Sequence, residues 1–510
     1  MHLSFQQVIL YKQGIGGIIV LLYYVNFIQA VQVLNYTKLN GGNMVFSSLV
    51  FLLRFLPITL LLYFLMPTMK AKNAVLIAAS LIFYAWGEPV WVILLVYSSA
   101  IDYVCGGLAG KYQKTAKGRI YLIISLVMNF GLLAFFKYGN FFIDNINAIP
   151  GVDIPNTGIS LPIGISFYTM QTVSYTIDAY RGNVKVQKSF FNFLLFVSMF
   201  PQLVAGPIVR YADIEDQLAE RKVTLQGIYE GILRFVAGLA KKTLIANYAG
   251  ALAVKFLDGD LLSQSTPSVW FGLLCYTFQI YFDFSGYSDM AIGLGKAFGF
   301  SFPENFNYPY ISQSITDFWR RWHMTLGTFF RDYVYIPLGG NRRLQYRNIL
   351  IVWMLTGLWH GASWNFVIWG LYFAVILVLE KTFMLKALKK VPRLVRTIYS
   401  FLLVVFGFNF FYFVDFGRNL EALRVMFGLA GTGFSIIEAL QLAVNYLPFI
   451  AVCLVCAVPV KKFALKWLGR LKLSEGIRAA AVAVGVAIVF IISAASIVSN
   501  SYNPFIYFRF

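Results

Sequence analysis

Residues 357–370 read GLWHGASWNFVIWG. The run is apolar and aromatic enough for a membrane interior, yet it holds His360, one of only three histidines in 510 residues. A titratable ring is costly in such surroundings, and ionisable groups inside membranes tend to carry function. The stretch therefore says both where the chain lies and where its chemistry is to be sought.

The composition around it agrees. The chain is 59% hydrophobic and 13% charged, with a mean hydropathy of +0.69, whereas soluble domains are about a quarter charged. Phe alone accounts for 49 residues and aromatics for 18%, as interfacial belts and helix packing require. The net charge of +20 does not form one basic face. It falls in short clusters between apolar runs: Lys70 and Lys72, KYQKTAKGR (111–119), RGNVKVQK (181–188), NRRLQYR (341–347), KALKKVPRLVR (386–396) and KKFALKWLGRLK (461–472). Basic loops flanking spans follow the positive-inside rule, so the charge speaks for a membrane and against nucleic acid.

At about 20 apolar residues per span, about 11–13 segments qualify as transmembrane or re-entrant helices. The fold class is an all-α integral membrane protein. The middle is the least regular part. SLPIGISFYTMQTVSYTIDAY (160–180) and FPQLVAGPIVRY (200–211) mix Pro, Gly and hydroxyl residues into apolar stretches, and FDFSGYSDMAIGLG (282–295) puts Asp283, Ser285 and Asp289 at membrane depth. Broken backbone is tolerated there only where protein or a watery cavity covers it, which predicts a cavity or funnel among ordinary helices. Two readings stand open for the start: an extra helix over Gly14–Leu34, or translation from Met44, which opens MVFSSLVFLLRFLP. The chain thus divides into a 1–43 extension and a single transmembrane domain over 44–510.

The second informative stretch is SITDFWRRWHMTLGTFFRDYVYIPLGGNRR (314–343). Its spacing predicts a helix with Trp319, His323, Leu326 and Phe330 on one face, an Asp317–Arg321 pair at i, i+4 on another, and PLGG as the stop. His323 then points into the bundle with the tryptophans, while His2 is terminal. Cys105 and Cys275 stand alone, and Cys453 and Cys456 have no second ligand pair, so the four cysteines are small buried hydrophobes. There is no GxSxG elbow, P-loop or HExxH pattern, and two histidines alone make a poor metal site. A neutral imidazole does suit removal of a proton from a hydroxyl. Acyl transfer from an activated thioester needs little more.

RRWHMTLGTFFRDYVYIPLGGNRR followed by GLWHGASWNFVIWG resembles the paired histidine motifs of the membrane-bound O-acyltransferase family. The bacterial branch that includes the membrane subunit for alginate O-acetylation is the most similar. FDFSGYSDMAIGLGKAFGF (282–300), FPQLVAGPIVRY, LPIGISFYTMQTVSYTIDAYRG (161–182) and MVFSSLVFLLRFLP resemble the same branch. The resemblance implies a ring of helices around a thinned centre, with a central tunnel between the two faces. It implies His360 as the catalytic base and His323 as its partner, positioning or polarising the acyl carbonyl or binding the donor's entrance. Asp317, Arg320 and Arg321 then stand at the entrance, where basic groups could meet the phosphates of acetyl-CoA. Asp283, Ser285 and Asp289 line the tunnel or hold helices together, and Trp359 and Trp364 pack around the site.

The implied activity is O-acetylation of an extracytoplasmic polysaccharide from cytoplasmic acetyl-CoA, with no bound cofactor or metal. An extracytoplasmic acetyltransferase or esterase-like partner protein would receive the acetyl group, and the location would be the bacterial inner membrane, multi-pass. Three alternatives stay in play: D-alanyl transfer to teichoic acid from a carrier-protein thioester, a polysaccharide or lipid transporter using the histidines as proton relays, and a scaffold.

Overall fold

A computed structural model describes residues 44–460 and 474–499. The 1–43 extension, with His2 and the 14–34 run, lies outside the described residues, as does the basic stretch 461–472. Among the described residues the secondary structure is helical, with no strand.

Helix starts follow one chemistry. Thr68 accepts from Ala71 N, Thr115 from Gly118 N, Ser189 from Asn192 N, Ser265 from Ser268 N and Asp415 from Arg418 N. First-turn N–H groups have no intrahelical partner, and a short oxygen side chain at the cap supplies one. Five described helices are long and apolar enough to cross a membrane: Val92–Lys111, Ala116–Asn147, Trp364–Leu388, Arg393–Tyr412 and Gly476–Ser499. A bent pair, Ile436–Asn445 and Leu447–Cys456, makes a sixth if it is one span. Thr266–Ala297 runs for 32 residues but carries Asp283, Asp289 and Lys296 and is buried along most of its length. Clothed by other helices, it holds charges that a lipid-facing helix cannot.

Contacts between loops sort the helix ends into two groups. Gly182 lies against Gln113, Tyr103 donates to Lys188 O, and Arg181 and Arg210 both reach Asp332. These gather the basic loops around 111–119, 181–188 and 331–347 at one end. At the other end, Ile163 N donates to Glu88, Thr157 N to Asn140, and Trp364 Nε1 to Asn145. The joining segments there, 139–164 and 361–363, contain no lysine or arginine.

The interior divides into two aromatic cores. One gathers Phe46, Phe51, Phe83, Phe200, Tyr287 and Trp359. The other gathers Phe278, Tyr310, Trp322, Trp369, Phe373 and Phe411. The seam between them is where the two described histidines lie.

Candidate active site

His360 is the last residue of the helix Gln345–His360. Sixteen residues at 1.5 Å each carry it about 24 Å from the basic end where the helix starts. Glycine sets its lateral position. A Cβ on Gly357 would stand 2.2 Å from Phe366 O, and one on Gly370 2.3 Å from Trp353 O. The two glycines therefore let this helix and Trp364–Leu379 touch backbone to backbone. The imidazole is buried between the cores: ring centroids lie 4.8 Å away for Trp359, 5.1 Å for Trp369 and 5.1 Å for Phe411.

The continuous helix expected over 314–343 is not formed. Ile315–Trp319 ends after five residues, and Met324–Phe330 begins anew. His323 sits at the junction with φ 46° and ψ 52°, the left-handed region that non-glycine residues seldom adopt. A neighbouring strap breaks the helix: Asn307 N donates to Arg321 O and Met324 N to Asn305 O, each at 2.9 Å. Backbone groups that would continue a helix are satisfied across that strap instead. Trp319, His323, Leu326 and Phe330 consequently do not share one helical face. Trp319 packs on Trp353, Trp369 and Phe373, while His323 turns to Phe284 and Trp359, at 4.7 and 5.6 Å. The Trp359 indole thus contacts both histidine rings.

Asn305 orients His323. Its Oδ1 takes hydrogen bonds from Thr325 N (3.3 Å) and Thr325 Oγ1 (2.9 Å) and lies 3.1 Å from His323 Nδ1, while its Nδ2 donates to Ser288 Oγ at 3.0 Å. A backbone N–H can only donate, so the atom facing it is the amide oxygen and the amide orientation is fixed. Nδ1 of a neutral His323 therefore carries the proton, and Nε2 is the bare acceptor. Nε2 is buried, with no hydrogen-bond partner among the described residues.

Lys137 and Tyr138 close the site from behind. They stand on a π-helical turn, Ala134–Tyr138. Lys137 Nζ donates to Trp359 O at 2.5 Å, to Ser166 Oγ at 3.3 Å and to His360 O at 3.4 Å. Tyr138 Oη donates to Leu358 O at 2.7 Å. Neither Asn305 nor Lys137 stood out in the sequence. Asn305 lies in an irregular strap without a motif of its own. Lys137, at the edge of an apolar run, reads as a snorkelling anchor; the one available signal was a lone cation among phenylalanines.

The other expected residues separate. Arg321 Nε pairs with Asp317 Oδ1 at 2.9 Å, and both are part-exposed, as the i, i+4 spacing predicted. Arg320 stands beside Arg321 on the same turn and is exposed. Asp289 is held by Arg234 (2.8 Å) and Lys241 (2.6 Å), and Asp283 by Lys242 at 2.8 Å with both side chains buried. These two aspartates tie the helix Thr266–Ala297 to its neighbours. Ser285 is buried, with no hydrogen-bond partner for its hydroxyl among the described residues. Trp364 does not pack around the histidines: it is 57% exposed and donates to Asn145 at the far end. A cavity of about 30 Å³ lies against Met44, Phe46, Lys242, Asp283 and Tyr287, and neither histidine lines it. Among the described residues no cluster of three or more His, Cys, Asp or Glu could hold a metal.

Residues 159–420 match the membrane-bound O-acyltransferase family. A probable alginate O-acetylase of Azotobacter vinelandii is 39% identical over 92% of this chain and 100% of its own length. One of Pseudomonas aeruginosa is 44% identical over 72% of each chain. A peptidoglycan O-acetyltransferase of Helicobacter pylori is 36% identical over 76% of this chain and 80% of its own.

Proposed function

The chain belongs to the membrane-bound O-acyltransferase family and is a multi-pass membrane acyltransferase, and from that premise we propose that it draws the acetyl group of cytoplasmic acetyl-CoA into the membrane for O-acetylation of an extracytoplasmic polysaccharide. The observation that carries this reading is the pair of buried histidines on one indole, Trp359. The relatives named for O-acetylation of alginate and peptidoglycan support a polysaccharide acceptor and an acetyl donor. The basic end of the molecule faces the cytoplasm by the positive-inside rule, so a donor enters past Arg320 and Arg321 and an acceptor approaches from the end near Glu88 and Trp364.

His360 acts as general base. It takes the proton of the attacking hydroxyl as the oxygen bonds to the thioester carbonyl carbon; the carbon–sulfur bond then breaks, and the proton passes to the departing thiolate. Imidazole begins and ends neutral, and the acyl group changes partner from sulfur to oxygen. His323 supports the step as an acceptor. With Nδ1–H directed to Asn305, its Nε2 can hold a hydroxyl or thiol proton but cannot donate to the acyl carbonyl. Polarisation of the carbonyl by His323 is therefore the less fitting of the roles open to it. The hydroxyl that leaves with the acetyl group belongs to the polysaccharide or to an extracytoplasmic partner enzyme that passes it on.

The test is thioester consumption by purified protein in nanodiscs supplied with radiolabelled acetyl-CoA, with and without alginate or peptidoglycan fragments. Wild type is expected to release CoA, and His360→Ala to lose at least about 100-fold in kcat at unchanged folding. Wild-type activity surviving in His360→Ala would remove the base from this mechanism. Failure of folded wild type on acetyl-CoA, followed by activity with a carrier-protein thioester, would reassign the donor.

A further inference from the structure

Lys137 belongs to the long apolar helix Ala116–Asn147, and a lysine in such a span ordinarily extends its stem toward water. Its ammonium does the opposite and turns inward. Its three protons meet three acceptors, Trp359 O, His360 O and Ser166 Oγ. Two of these are the last carbonyls of the helix that ends at His360, groups with no intrahelical donor. A cation at the negative end of a helix is favourable, more so away from water. Tyr138 takes the next carbonyl back, Leu358 O. Both side chains come from one π-helical turn, a rare element concentrated at functional sites. The third contact ties the same ammonium to Ser166 in the first turn of Ile165–Arg181.

We propose that Lys137 is a positioning residue for acyl transfer: it clamps the backbone of Trp359 and His360 so that the imidazole keeps its place against the indole and His323. This rests on the acyltransferase role given to His360 above. A clamp of this kind acts through another residue, so its loss slows turnover without weakening donor binding. A shift of about 1 Å at a reacting group can lower a rate by about 100-fold.

The test compares full-length wild type with Lys137→Met, Lys137→Ala, Lys137→Arg and Tyr138→Phe in nanodiscs. With radiolabelled acetyl-CoA, Lys137→Met is expected to lose about 10–100-fold in kcat, with KM for acetyl-CoA within about twofold. Ethylamine in the buffer is expected to restore part of the rate to Lys137→Ala, and Lys137→Arg to retain more than Lys137→Met. Tyr138→Phe, which removes only the neutral cap, is expected to lower kcat in the same direction by less. Wild-type kcat in Lys137→Met overturns the proposal, as does a loss that neither ethylamine nor arginine relieves.

Hydrogen–deuterium exchange over 356–363 reads the clamp without any donor. Lys137→Met is expected to raise exchange there by about tenfold while leaving Val92–Lys111 unchanged. Unaltered exchange sinks the clamp, whatever the true donor. Raised exchange in Lys137→Met, when the wild type itself ignores acetyl-CoA, keeps the clamp and places the fault with the donor.

Discussion

The side-chain oxygen of Asn305 lies 3.1 Å from Nδ1 of His323, although 18 residues separate them in the chain. One amide thus sets the tautomer of the ring, and it is itself held by Thr325 and Ser288. Orientation of a functional imidazole by a hydrogen bond on its other nitrogen is a general device.

Replacing Asn305 by leucine removes that device while filling the space. Turnover of acetyl-CoA is expected to fall by about 10–100-fold. The His323 Nδ1 and Thr325 hydroxyl are left without their buried acceptor, and unfolding should become easier by about 1–3 kcal/mol. Steady-state kinetics beside a thermal unfolding curve checks both parts. Wild-type kcat in a folded Asn305→Leu protein would show that the tautomer of His323 is irrelevant.

The left-handed backbone at His323 makes a separate statement about side chains. His323→Gly and His323→Asn relieve or tolerate φ 46°, whereas His323→Val cannot. All three should be slow enzymes. The valine variant alone should be further destabilised, by about 1–2 kcal/mol, visible as a lower unfolding temperature. Equal stability across the three would mean that the turn relaxes freely.

Asp283 and Lys242 are 2% and 3% exposed and 2.8 Å apart. Asp283→Asn leaves a buried ammonium without its counter-charge and is expected to destabilise by about 3–5 kcal/mol. The double change Asp283→Leu with Lys242→Met should recover most of that. A double-mutant cycle on unfolding measures it. If the double variant is stable yet inactive, the pair serves the substrate path as well as the helix contact.

Gly357 faces the Phe366 carbonyl with no room for a Cβ. Gly357→Ala is expected to push the two helices apart, lowering stability by about 1–3 kcal/mol and reducing kcat with it, because His360 rides on the displaced helix. A cysteine pair across the two helices, scored for crosslinking, reports the spacing directly. Undiminished crosslinking and activity in Gly357→Ala would refute the close approach.

Much of this was legible in the sequence, and the limits have physical causes. Two histidines in tryptophan-rich surroundings marked a candidate site because an ionisable ring is costly in an apolar run. Asp317 and Arg321 could be paired because their contact is local, four residues apart across a single turn. The break at His323 was hidden for the opposite reason. Trp319, Leu326 and Phe330 repeat with helical spacing, and the groups that end the helix belong to a strap 14 to 19 residues upstream. Trp364 shares its motif with His360 but lies beyond the turn at Gly361, where the chain has already reached the far end. Lys137 sits more than 220 residues from the carbonyls it holds, and no periodicity connects them.

His360 touches Trp359, which belongs to one aromatic core, and Trp369 and Phe411, which belong to the other. The order of synthesis follows from this. A nascent chain inserted as far as His360 has the Trp359 wall of its pocket but still lacks the opposite one. The ring becomes enclosed only after about 50 further residues have been threaded into the bilayer and Phe411 has docked. Until then the imidazole of His360 is only half-clad, so a ribosome that stalls in that interval leaves a membrane-embedded fragment with that ring incompletely walled.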